Sequence, residues 1–91
     1  KSKIAGIIQN NWIFSQQLVR NSKGMEVYVE INILPDGTIS QIIYKRKAPS
    51  EYLNNSVKAA LQKSILPPLP GEYGRRSLLV GFVFTPEGVS Q

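Results

Sequence analysis

Apolar and polar positions alternate regularly in five stretches of the chain. Ile4, Ile7, Ile8 and Trp12 fall at i, i+3, i+4 and i+8, with Gln9, Asn10 and Asn11 near the end of the run. That spacing predicts one apolar stripe of a helix, and the stripe is already under way at Ile4, so the helix is expected to begin before Lys1. Residues 13–23 read as a connection, with Asn21, Ser22 and Gly24 supplying turn chemistry. The period then changes from 3.6 to 2. Met25, Val27, Val29, Ile31 and Ile33 alternate with Glu26, Tyr28, Glu30 and Asn32, which predicts a strand with one buried face.

Pro35, Asp36 and Gly37 follow, with proline at the second turn position and glycine where a left-handed residue is needed. This is the pattern of a type I turn closed by a bulge, and it returns the chain as the second strand of a hairpin over residues 38–45. Ile42 and Ile43 must face opposite sides of that strand, so a second bulge is expected near them.

Helical spacing resumes after Pro49. Ser50 is placed to cap, Glu51 sits in the first turn, and Leu53, Val57, Ala60, Leu61 and Ile65 repeat along one face. Pro67 and Pro68 cannot continue a helix and push the residue before each out of the helical region. The stretch PPLP at 67–70 is thus expected to be an extended connector rather than a proline-rich ligand, with Leu66 and Leu69 packed inward and Arg75 and Arg76 in solvent. Leu78, Val80, Phe82 and Phe84 then alternate with Leu79, Gly81 and Val83, which predicts a third strand. The expected fold is α+β: helix, strand, strand, helix, strand, with both helices covering one face of a three-stranded antiparallel sheet.

Composition narrows the function. Ninety-one residues support one core and one domain. The chain contains no cysteine and no histidine, which removes thiol chemistry, disulfides, Cys/His metal sites and the usual base near neutral pH. Asp36 with Glu51, or Glu26 with Glu30, are the carboxylate pairs an enzyme would use, but no nucleophile, metal cluster or phosphate loop accompanies them. Asp36 reads as a turn residue and the glutamates as solvated strand positions. No catalysis and no cofactor are expected. Eleven Lys and Arg against six acids give a net charge of +5, which invites an anionic partner, but the basic residues are scattered apart from Lys45, Arg46 and Lys47.

Several motifs taken together resemble a known family. Asn11-Trp12 closing the first helix, the hairpin around Pro35-Asp36-Gly37-Thr38-Ile39, Ala59-Ala60-Leu61 running into Ile65 and the proline segment, and the terminal run from Leu79 to Pro86 are similar to the C-terminal domain shared by TonB and TolA proteins. Both branches stay open, with the tryptophan and the proline ending leaning towards the TolA-like one. The resemblance implies a periplasmic domain at the far end of a rod, cut from a longer protein anchored in the inner membrane by an N-terminal helix. That anchor would engage proton-driven motor proteins. The domain itself would grip an outer-membrane partner: the short box of a TonB-dependent receptor, or an envelope protein of the Tol-Pal system. A homodimer is left open, and nucleic acid is not an expected partner.

An open sheet edge is a ready template for an extended peptide. If the first strand is central, the second and third are edges. The second ends in Lys45, Arg46 and Lys47, while the third carries no charge from Ser77 to Thr85. The expected partner-binding residues are therefore Leu78, Leu79, Val80, Gly81, Phe82, Val83 and Phe84, with Arg75 and Arg76 beside them. The alternative is a nucleic-acid module in which Tyr28, Tyr44, Phe82 or Phe84 stack on bases. Its order of elements does not match the common RNA-binding folds, and no RNP motif is present.

Overall fold

The structure, a computed structural model, describes residues 3–13, 25–71 and 76–90. The expected helix start before Lys1, most of the expected connection over 13–23, and Arg75 lie outside them. The elements are α1 (Lys3–Asn11), β1 (Val27–Ile33), β2 (Ile39–Arg46), α2 (Glu51–Lys63), β3 (Leu78–Thr85) and β4 (Gly88–Ser90). All strand pairs are antiparallel, in the order β2-β1-β3-β4. The expected three-stranded sheet is thus corrected to four. β4 is only three residues long, too short to show an alternation in the sequence. Its turn is stitched by Thr85, whose hydroxyl accepts from the Glu87 N–H and donates to the Gly88 carbonyl.

The expected faces are observed. Val27, Val29, Ile31 and Ile33 of β1 are fully buried, as are Phe82 and Phe84 of β3. They pack with Ile8 of α1 and Leu53, Val57 and Leu61 of α2 in one core. α1 packs against α2 and β4, and α2 against β1 and β2, so both helices lie on the same side of the sheet. The register shifts twice along β2, opposite Tyr28/Val29 and opposite Asn32/Ile33. These irregularities leave Ile42 beside Ile31 on the core face and Ile43 beside Glu30 on the open one.

Buried polar groups fix the connections. Ser50 caps α2 by accepting from the Leu53 N–H. Asn54, 3% exposed, donates to the Ala48 carbonyl and accepts from the Ala48 N–H at 2.8 and 2.9 Å. One side chain therefore satisfies both backbone groups of a buried residue. Tyr44 of β2 donates its hydroxyl to the Asn54 carbonyl. The Trp12 indole N–H donates to the Ser56 hydroxyl at 2.9 Å, and its ring meets Phe84 edge-on at 5.2 Å. The tryptophan thus closes α1 over the core while remaining half-buried.

α2 ends at Lys63, two residues short of the end of its expected apolar stripe. Ser64 is extended, and Ile65, expected on the buried face, is 87% exposed. Once the helical period ends, Leu66 takes the inward position and is buried. The proline segment then crosses the β1–β2 turn. Leu69 donates its N–H to the Pro35 carbonyl at 2.9 Å. Gly37 has φ +94°, and a Cβ there would lie 2.4 Å from the Leu66 carbonyl oxygen. Only glycine fits both the left-handed conformation and the close crossing. The turn bond from the Gly37 N–H to the Leu34 carbonyl is present, and Asp36 accepts from the Thr38 N–H. PPLP is accordingly a connector clamped to the hairpin.

Candidate functional site

The expected docking edge is set by which way the backbone groups of β3 point. Leu34 donates its N–H to Thr38 across the hairpin, so the even-numbered residues of β1 bond towards β2 and the odd-numbered ones towards β3. Val27, Val29, Ile31 and Ile33 are opposite Phe84, Phe82, Val80 and Leu78. Those four β3 residues therefore turn their N–H and C=O groups to β1. Leu79, Gly81, Val83 and Thr85 turn theirs away from it.

β4 pairs Val83 with Ser90, Phe84 with Val89 and Thr85 with Gly88. This narrows the expected edge: β3 is third in the strand order, and its second half is covered. No strand among the described residues pairs with Leu79 or Gly81 on the outer side. The β4 edge itself is closed, because the Val89 N–H donates to Gln9 Oε1 of α1 at 3.1 Å. Among the described residues, the stretch of β3 without an outer partner strand is thus its first half.

Among the described residues β2 is an edge along its whole length, but it is a poor one for pairing. Its two register shifts interrupt the ladder, and it ends in exposed Lys45 and Arg46, both devices that discourage an added strand. Lys45 and Arg46 reach across to Glu30 and Glu26 at 3.8 and 3.5 Å, so these glutamates, expected as solvated positions, serve as cross-strand ion-pair partners.

The side chains of the expected site divide between two faces. Val80, Phe82 and Phe84 are buried and turn their backbone groups to β1, so neither their side chains nor their backbone face the outer edge. Leu78 is half-buried against the core. Leu79 is 57% exposed on the open face, where Gly81 lies beneath the Tyr28 ring, with 2.9 Å between that ring and a hypothetical Cβ. Arg76 is exposed just ahead of β3.

The base-stacking alternative loses its aromatic platform. Phe82 and Phe84 are fully buried, and Tyr44 is on the core face with its hydroxyl engaged by α2. Tyr28 alone of the four lies on the open face.

Grooves among the described residues flank the helix layer. One, about 440 Å³, lies between the hairpin turn, Ile42 and the end of α2, with exposed Ile65 among its walls. Another, about 370 Å³, lies between the start of α1, the proline segment and Leu78, at the free end of the β3 edge. Sequence reasoning did not find this second groove. Lys3, Ile4, Leu69 and Leu78 come from three separate segments, and no local pattern announces their meeting.

No helix among the described residues is long and apolar enough to cross a membrane. No curated protein and no solved structure matches the chain. The family described as TonB C terminal matches residues 1–84, which include both helices and the first three strands almost to the end of β3. With that match spanning nearly the whole sequence, the chain belongs to the TonB C-terminal family, whose domains are periplasmic, non-catalytic parts of energy transducers.

Proposed function

We propose that this domain is the partner-binding end of a TonB-type transducer, taking up an extended peptide from an outer-membrane receptor as a new strand on the first half of β3. The observation that supports the reading is the outward backbone of Leu79 and Gly81, a stretch that no strand among the described residues pairs on its outer side, between exposed Arg76 and the part of β3 that β4 covers. Main-chain hydrogen bonds supply the affinity in this mode of recognition, and side-chain pockets the selectivity. The other long edge, β2, is interrupted and charged, so the sheet offers one favourable place for addition. The net charge of +5 raises the rate of encounter with an acidic segment. A membrane anchor and motor contacts upstream of this domain, and force transmission through the docked peptide, complete the reading.

Proline substitution tests it. Leu79 presents its N–H outward, so Leu79→Pro keeps the β1 ladder and stays folded, while Val80→Pro removes a ladder bond and destabilises. Folded Leu79→Pro is expected to lose binding to peptides from the periplasmic segments of the host's TonB-dependent receptors. Parental affinity in the folded variant would move the site elsewhere, the open face around Tyr28 being next. Binding of Tol-Pal peptides alone would reassign the partner to the TolA-like branch.

A further inference from the structure

An added strand would bring side chains as well as backbone, and its geometry places one of them at the groove beside Leu78. Side chains of paired strands alternate in step, so a residue opposite Leu78 projects to the helix side and one opposite Leu79 to the open face. Leu78 has Ile33 of β1 on one flank. Lys3 and Ile4 of α1 and residues 67–70 line one groove with Leu78, with the proline segment held at the hairpin turn. Ile4, near the start of α1, lines the groove with Leu78, and Trp12, just past its end, meets Phe84. The first turn of α1 therefore lies beside Leu78, the first residue of β3, while Gln9 further along α1 bonds to β4.

The walls define what fits. Ile4, Leu69 and Leu78 offer aliphatic carbon, and Pro67, Pro68 and Pro70 have no N–H to donate. The Leu69 N–H is already given to Pro35. The proline wall is stiff and held at the hairpin through Leu66 and Leu69, so the groove is formed before a partner arrives. Among the described residues, the one charged side chain lining it is Lys3, and exposed Arg76 lies just ahead of β3.

Resting on the strand-addition reading, we infer that this groove selects the partner peptide, accepting one large aliphatic or aromatic side chain opposite Leu78 and favouring an acidic residue next to it. The proline segment then has two roles, as a connector and as the wall of a specificity pocket. The occupant is one residue of the same extended peptide that pairs with β3.

The test uses the full chain, isotope-labelled, and capped Thr-rich heptapeptides carrying one Glu and a single guest position of Gly, Ala, Val, Leu or Phe. Amide shifts at Leu79 and Gly81 report strand addition, and methyl shifts at Ile4, Leu69 and Leu78 report the groove. Affinity is expected to rise roughly tenfold to a hundredfold from Gly to Leu, the effect of burying one such side chain. Ile4→Trp, which fills the groove, should bring the Leu guest down to the affinity of the Gly guest. Should that variant not fold, exposed Lys3→Glu provides the second check, by reversing the preference for Glu over Lys beside the guest. Equal affinity for Gly and Leu guests with edge amides shifting would overturn the pocket and leave strand addition standing. No shift at Leu79 or Gly81 with any peptide would overturn both.

Discussion

At the β1–β2 end, the turn is fixed by its own bonds, by Gly37 under the Leu66 carbonyl and by Leu69 bonded to Pro35, while Asn54 holds the following connection at both groups of Ala48. At the β3–β4 side, a three-residue strand and one glutamine side chain close half of an edge, and the other half has no paired strand among the described residues. The first region is over-determined, with several independent contacts enforcing one geometry. Among the described residues, the second is held by a three-residue ladder, the Thr85 bonds and one exposed bond to Gln9. Low local stability is what a surface that exchanges partners requires, and the rigid hairpin end supplies the wall against which the exchange is read.

The largest expected effect is at Gly37. Gly37→Ala forces a left-handed alanine and a collision with the Leu66 carbonyl, and together these should cost about 4 kcal/mol in denaturant unfolding. A loss under about 1 kcal/mol would show that the proline segment slides away freely, and the contrast between the two ends would collapse.

Asn54→Ala comes next. It strands the N–H and C=O of buried Ala48, and should cost about 3 kcal/mol. Restoring most of that stability with Asn54→Ser would argue that water fills the gap and that the connection is less rigid than drawn.

Tyr44→Phe removes one bond to the Asn54 carbonyl and should cost about 1 kcal/mol near neutral pH. Burial holds the Tyr44 phenol above its ordinary range, with the Glu51 carboxylate adding to the shift. The unfolded chain therefore ionises first. The stability due to the neutral hydroxyl is fully present below the ordinary tyrosine pKa of about 10 and is lost as pH rises through the raised value. The alkaline decline in melting temperature should be shallower in Tyr44→Phe, and identical slopes would refute this role.

Gln9→Ala should change global stability least, by about 0.5 kcal/mol, because the Val89 bond is exposed. Its effect is local. Hydrogen exchange should speed up at Val83 and Thr85, which face β4, and stay slow at Val80 and Phe82, which face β1. Uniform acceleration along β3 would mean that β4 supports the whole strand rather than half of it.

Much of the fold was legible in the sequence because its signals are periodic and local. The alternation of Val27, Val29, Ile31 and Ile33 could be satisfied only by one buried face, and Pro35-Asp36-Gly37 fixed the hairpin through backbone conformations open to few residues. Ser50 and the prolines set the ends of α2 to within a turn. Ile65 was misplaced because a helical stripe can be extended on paper past the point where the backbone has already turned at Ser64.

What the sequence determined by itself was element type, buried face and family, since each depends on neighbours a few positions apart or on a pattern running through the chain. Tertiary structure alone decided which part of β3 is open, because that depends on the short β4 and on Gln9, eighty residues away from Val89 in the chain. It also decided that PPLP, Ile4 and Leu78 bound one groove. Long-range contacts of this kind follow from how the layers pack, and single residues meeting across the fold leave no period to read.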